Sequence, residues 1–190
     1  MKLGVVLLAS GSSTRFGENK LLADFDGRPM VCCAMGAAMA AEPARAAVVT
    51  GYDSIAQLAK MHGYEVIVND APQKGQAHSI VLGVRAMADM DAVLLVVCDQ
   101  PLLSCVSVKK LIVQFCGSDK GMACLCDETH RGNPAVFSSA HYNELLALAG
   151  DCGAKAILRR HEEDLLVVAC VNPNELADVD TPQMLADMNL

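Results

Sequence analysis

The sequence predicts an α/β domain with a doubly wound, mostly parallel sheet and helices on both faces. Three observations lead there. Six apolar runs of strand length recur along the chain, helix-like stretches separate most of them, and 53% of the 190 residues are hydrophobic, enough to bury a full core. One domain spanning 1–190 is expected, because no linker, repeat or low-complexity tract interrupts the alternation.

Leu3 to Leu8 is continuously apolar and reads as a strand buried on both faces. Pro29 opens the first helix where its missing N–H costs nothing, and Val31 to Ala41 supplies the apolar side that packs on the sheet. Further strands are expected at Ala46 to Thr50, Glu65 to Val68, Ala92 to Val97, Gly121 to Cys126 and Leu165 to Val171. Asp53 or Ser54 is placed to cap a second helix, Gly75 to Met90 reads as a third, and Ser104 to Phe115 as a fourth. Asp127 to Asn133 is polar and contains glycine, so it reads as a loop over the ligand face, with a strand at Val136-Phe137. Thr181 is a candidate cap for a last helix with Pro182 at its first position.

Aromatic residues are only 4% and Trp is absent, so the core must be built from Ala, Val, Leu and Met. A net charge of −7 argues against a general nucleic-acid surface, although a few cations at one loop still suit a small anion. The nine cysteines fall largely in apolar runs, among them Cys32, Cys33, Cys98, Cys105, Cys116 and Cys170, as expected of free buried thiols in a reducing cytoplasm. Cys124 and Cys126 are spaced too tightly for half of a usual zinc site. The opening MKLGVVLLASG has the outline of a short signal peptide, but it runs directly into a ligand loop and is expected to stay. No apolar run approaches the roughly 20 residues of a membrane span.

The most informative stretch is Leu7 to Leu22, where the first strand runs into a small-residue loop carrying Arg15 and Lys20. Gly11 and Gly17 let backbone approach a ligand, Ser12, Ser13 and Thr14 add hydroxyls to the loop amides, and the two cations complete a polyphosphate site. A loop leaving the carboxyl end of a strand is where open α/β sheets bind ligands. Neither the Gly-Lys-Ser/Thr ending of a P-loop nor the Gly-x-Gly-x-x-Gly of a dinucleotide fold is present. Asp99 follows the Val93 to Val97 run and is freed from it by Pro101, a position suited to a hard oxygen ligand for Mg²⁺. Asp178 and Asp180 precede the Thr181-Pro182 helix start, and that start alone does not require two carboxylates. Gln73 to Val84 turns through Gly75 into a helix whose amino end attracts anions. His78 is expected to be exposed without a catalytic role, and Lys74 to be a surface cation.

Leu8, Ala9, Gly11, Ser13, Arg15, Phe16, Gly17 and Lys20 resemble the signature loop of nucleotidyltransferases with a Rossmann-like domain. Ser10 departs from the Ala or Gly usual there, at a position near the nucleotide base. Gly75 and Ser79 match that family's turn into a nucleotide-facing helix, and the Asp-x-Asp-Thr-Pro segment maps its second metal carboxylate to Asp180. Arg131-Gly132-Asn133-Pro134 and Gly150-Asp151-Cys152-Gly153-Ala154-Lys155 resemble segments of molybdenum cofactor cytidylyltransferases within the MobA-like group, with Asn133 in place of the more usual His.

The resemblance implies transfer of CMP from CTP to the phosphate of molybdopterin, with pyrophosphate released. It implies Arg15, Lys20 and Asp99 as catalytic residues and Mg²⁺ on Asp99 and Asp180. It implies nucleotide binding by Leu8, Ala9, Ser10, Gly11, Ser12, Ser13, Lys20, Gly75 and Ser79. A guanylyltransferase using GTP and a non-catalytic cofactor-insertion chaperone are the rival readings, and Ala9-Ser10 leans toward the cytidylyl side. The expected partners are CTP and molybdopterin, with a molybdenum hydroxylase or its insertion chaperone receiving the product, and neither nucleic acid nor membrane.

Overall fold

The computed structural model describes residues 1–11, 16, 19–128 and 130–188. Seven strands form one sheet: β1 (Leu3–Leu8), β4 (Arg45–Thr50), β5 (Glu65–Val68), β6 (Ala92–Val97), β7 (Met122–Cys126), β8 (Arg131–Ser138) and β9 (Leu165–Ala169). A separate two-stranded pair, β2 (Asp24–Phe25) and β3 (Arg28–Pro29), leads into the first helix. The helices are α1 (Met30–Met39), α2 (Asp53–Met61), α3 (Gln76–Ala86), α4 (Cys105–Cys116), α5 (Tyr142–Leu146), α6 (Lys155–Arg160) and α7 (Pro182–Met188).

The sheet order is β5-β4-β1-β6-β8-β7-β9, and only β8 runs against its neighbours. The chain winds outward from β1 in one direction through β4 and β5, then returns to place β6 on the other side of β1. That reversal leaves a crevice beyond the carboxyl ends of β1 and β6, which pair in register from Leu3↔Ala92 to Leu8↔Val97. β1 is apolar throughout because it is covered twice: Val5 and Leu7 belong to one core, Val6 to the other. The first core takes in α1, α2 and α4, the second α3, α5 and α6. Without Trp, the largest fully buried side chains include Met30, Met35, Met87, Met122 and Phe137, as the composition required.

Several expectations need correction. Asp127 to Asn133 is not one loop, since β8 already begins at Arg131. Its pairing with β7 skips from Cys124↔Ala135 to Cys126↔Arg131, so the strand carries extra residues and Gly132-Asn133-Pro134 sits in a bulge. A bulge needs no ladder N–H from Pro134, which is how a Gly-Pro stretch persists inside a strand. Pro29 stands just before α1, in the pair with Asp24, and Met30 N–H bonds Ala23 O at 2.9 Å. Neither Asp53 nor Ser54 caps α2, which starts at Asp53 after Tyr52. α3 is shorter than expected, ending at Ala86. All nine cysteines are free, but Cys105, Cys116 and Cys152 are exposed, the first two at the two ends of α4. His78 is half-buried rather than exposed, and its Nε2 has no partner among the described residues. Ser104 and Thr181 do cap their helices, accepting from Ser107 N at 3.1 Å and Met184 N at 3.2 Å.

Candidate active site

The carboxyl end of β1 is tied to β4. Ala9 N–H donates to Val49 O (2.9 Å), the Ser10 hydroxyl donates to the same carbonyl (3.0 Å), and the Thr50 hydroxyl donates to Ala9 O (3.0 Å). Tyr52 adds a bond from its hydroxyl to Gly11 O at 3.1 Å. Ser10 is thus a buried residue whose hydroxyl proton is committed to the protein. Ser12, Ser13, Thr14, Arg15 and Gly17, to which the sequence reading gave phosphate contacts, lie outside the described residues.

Lys20 begins a short 3-10 turn capped by the Asn19 side chain, and this turn points its ammonium back at the sheet edge. Nζ donates to Asp99 Oδ2 at 2.8 Å, to Val179 O at 2.9 Å and to Asp180 Oδ1 at 3.0 Å. Lys20 therefore bridges the two carboxylates expected to share a metal. Burial alone would lower its pKa, but the hydrogen bonds and charges of Asp99 and then Asp180 outweigh that and hold it above the ordinary value. The Asp178–Asp180 segment is brought to Asp99 by a backbone bond from Val179 N to Asp99 O, 2.9 Å.

Asp178 is separate from that pair. It accepts from Gln100 Nε2 at 2.9 Å, and burial, followed by repulsion from Asp99, pushes its pKa up. Gln100 Nε2 also donates to Leu176 O at 3.1 Å, while Gln100 Oε1 is buried with no partner among the described residues. Glu175, only 1% exposed, anchors the whole C-terminal segment. It accepts from Ser104 N and Oγ at 3.0 and 2.9 Å and from Asn172 N and Nδ2 at 2.8 and 3.0 Å. Burial pushes this carboxyl up, yet the hydrogen bonds from Ser104, Ser107 and Asn172 bring it below its usual value. Sequence reasoning assigned Glu175 no part; a lone Glu in NPNEL carries no spacing signal.

Two cavities meet here. The larger, about 550 Å³, lies between the β1 loop and the start of α3, with Ser10, Gly11, Lys20, Gln73, Ser79 and Asp151 in its wall. Its size falls within the range of small-molecule sites. The smaller, about 210 Å³, is lined by His130, Arg131, Asn133, Lys155, Gln100 and Asp178. Asp99, Val97 and Gln76 belong to both walls.

Leu8, Gly75 and Ser79 line the larger cavity as well, whereas Ala9 is buried behind it. Ser79 Oγ accepts from Asn69 Nδ2 at 3.0 Å. Gly75 adopts φ +83°, and a Cβ there would collide with Gly150 O and Asp151 Oδ1. The 150–153 segment closes on α3 at that point, with Ala77 N–H on Gly150 O at 3.1 Å. Gln73, Gln76 and Asp151 are wall residues that sequence reading did not assign; Asp151 stood inside a quoted motif, which was the available signal. Lys155 lies across Gly132, where a Cβ would be 3.2 Å from its Cδ. Cys98 also borders the larger cavity, but burial, then the Asp99 charge, pushes its pKa far up, so it is a neutral thiol rather than a nucleophile.

A switch-point crevice with a carboxylate pair, a lysine on it and two adjoining cavities defines a nucleotidyltransferase-type α/β protein. The chain matches the MobA-like NTP transferase domain over residues 5–165, and it belongs to that family. It is 29% identical to the purine catabolism protein PucB of Bacillus subtilis, over 94% of this chain and 91% of that protein. It is 26% identical to nicotine blue oxidoreductase of Paenarthrobacter nicotinovorans, over 95% and 93%. It is 30% identical to a probable molybdenum cofactor guanylyltransferase of Pyrococcus horikoshii, over 66% and 62%. In fold it resembles a nucleotidyl transferase from Methanothermobacter thermautotroptrophicus, with TM-score 0.84, 22% identity and coverage of 99% of this chain and 96% of that one. Rv0371c of Mycobacterium tuberculosis in complex with manganese superposes with TM-score 0.76 and 21% identity, over 99% and 98%. No described helix is long and apolar enough to cross a membrane.

Proposed function

We propose that the protein transfers the CMP group of CTP to the terminal phosphate of molybdopterin, forming molybdopterin cytosine dinucleotide and pyrophosphate. The observation that carries this reading is the position of Asp99, in the shared wall of the two cavities and hydrogen-bonded to Lys20. The nucleotide occupies the larger cavity with its α-phosphorus at that wall. The acceptor occupies the smaller one, where Arg131 and Lys155 supply positive charge for its phosphate. An acceptor phosphate oxygen attacks the α-phosphorus, and the bond from that phosphorus to the β-phosphate oxygen breaks. The nucleophile is the substrate's own, so the inert Cys98 thiol is no obstacle.

Catalysis is then positioning and charge compensation. Asp99 and Asp180 already converge on one cation, the Lys20 ammonium, and two hard carboxylates on a shared point fit a divalent ion. They would hold Mg²⁺, which when bound neutralises charge on the phosphoryl oxygens. Lys20, shifted off the carboxylates by the nucleotide, and Arg15 hold the departing pyrophosphate. Gly11, with Ser12 and Ser13, cradles the phosphates with backbone N–H groups, and Gly75 and Ser79 line the opposite wall of the nucleotide cavity. Ser10, whose hydroxyl proton is engaged by Val49 O, leaves its oxygen lone pairs for the base.

The Pyrococcus relative supports GTP as the second reading for the same site. Pyrophosphate release measured with molybdopterin and each nucleoside triphosphate decides between them. Release with CTP supports the proposal, and release with GTP alone replaces it by the guanylyl activity. The family resemblance, with its molybdenum-related relative, supports cytoplasmic handling of the product by direct transfer to a molybdenum hydroxylase or its insertion chaperone.

A further inference from the structure

At the opposite end of the sheet, two histidines and a glutamate converge. His141 closes the 3-10 turn Ser139–His141, Glu144 lies one helical turn on in α5, and His161 caps the end of α6. This end is fixed by Ser139 N on Asp91 O (2.8 Å), beside the amino end of β6. The length of the six-residue β6, about 20 Å, separates it from Asp99.

His141 Nδ1 is 3.6 Å from Glu144 Oε1, His161 Nε2 is 2.8 Å from the same oxygen, and the three ligand atoms all lie within 4.8 Å of one another. Ligand atoms around a tetrahedral zinc, with bonds of about 2.0–2.1 Å, sit about 3.3 Å apart, so modest side-chain adjustments suffice.

The second observation is how the ring nitrogens are committed. His141 Nε2 is 2.8 Å from Asp164 Oδ2, and Asp164 is itself pinned by Gly121 N–H at 2.7 Å. A carboxylate on Nε2 makes that nitrogen the donor and turns the Nδ1 lone pair toward Glu144, the arrangement in which outer carboxylates orient metal-bound histidines. His161 Nδ1 lies 3.6 Å from Glu163 Oε1, within reach of an ion pair but longer than a hydrogen bond. Its Nε2 is closed off from solvent and makes no aligned hydrogen bond, despite its short distance to Glu144. Glu144 keeps its other oxygen on Arg160 Nη1 at 2.6 Å. Two ring nitrogens and a carboxylate oxygen thus converge on one region while His141 Nε2 is committed to Asp164, an arrangement a cation satisfies.

We propose that His141, Glu144 and His161 bind a zinc ion, with water as the fourth ligand, clamping α5 and α6 together at the end of the sheet remote from the nucleotide cavity. Two histidines with a carboxylate are an established ligand set for zinc.

The test is a zinc titration of chelator-treated, reduced protein, followed by imidazole ¹H–¹⁵N correlation spectra. An Asp99→Asn background removes the carboxylate pair as a competing site. One equivalent of zinc is expected, with the ring signals of His141 and His161 shifting while those of His62, His78 and His130 stay. His161→Gln is expected to lose that equivalent, and Asp164→Asn to weaken it by roughly tenfold to a hundredfold. Unmoved His141 and His161 signals at saturating zinc would overturn the proposal whatever the variants do. So would a His161→Gln protein that binds the same zinc with the same affinity.

Discussion

Replacing Lys20 by Met keeps an unbranched stem out to the ε position and removes the ammonium from which Asp99, Asp180 and the Val179 carbonyl all accept. Asp99 dominates the stability effect, since both it and Lys20 are largely buried, whereas the Asp180 side chain is 52% exposed and its share is screened. A charge-assisted bond of the first kind contributes about 1.5–3 kcal/mol, so we expect a loss of about 2 kcal/mol in urea unfolding. Turnover falls further, because a preorganised charge at the departing phosphate is worth about 3 kcal/mol, or about a hundredfold in rate. Affinity for a divalent ion in the absence of nucleotide moves the other way, since the ammonium no longer competes for the two carboxylates. The assays are pyrophosphate release under saturating substrates and direct metal titration. Turnover within twofold of the parent, or a loss no larger than the unfolded fraction explains, refutes the role given to Lys20.

Asp99→Asn keeps an oxygen that can accept from Lys20, so the fold should persist while pyrophosphate release drops at least a hundredfold. Glu175→Ala strands the Ser104 and Asn172 N–H groups in a buried site and should cost about 2–4 kcal/mol by urea unfolding. Because its folded pKa lies below the unfolded one, Glu175 contributes fully above about pH 4.3, and that contribution disappears as pH falls through the lowered folded value. Acid unfolding of Glu175→Gln should accordingly show a shallower pH dependence than the parent. Gly75→Ala forces an L-residue to φ +83° against Gly150 O, with an expected loss of about 1–3 kcal/mol and weaker nucleotide binding. Lys155→Ala should raise the KM for the acceptor several-fold and leave the nucleotide Kd unchanged.

What could be read from the sequence follows from how local its causes are. The strands of the parallel half were legible because doubly covered strands must be apolar throughout, as in Leu3–Leu8 and Ala92–Val97. The second half of β8 was legible at Val136-Phe137, but its first half was read as loop because Gly132 and Pro134 are loop signals that only pairing with β7 through a bulge overrides. The acidic segments were legible from Asp99 at a strand end and from Asp178 and Asp180 before a helix start, with the choice of Asp180 implied by the family resemblance. Their bridging by Lys20 was not, since three segments remote in sequence must fold before the ammonium meets both carboxylates. The smaller cavity was half legible: Arg131, Asn133 and Lys155 stood in quoted motifs, but Gln100 and Asp178 join them only through tertiary contacts.

The central claim is that one nucleotide and one phosphate-bearing pterin react across the wall that holds Asp99. Its most direct test is to incubate the protein with Mg²⁺, molybdopterin and CTP, ATP, GTP or UTP in turn, and to quantify both pyrophosphate and the dinucleotide product. Pyrophosphate and molybdopterin cytosine dinucleotide are expected in equal amounts with CTP, both abolished by Asp99→Asn. No product with any of the four nucleotides, or product that survives Asp99→Asn, would contradict that claim.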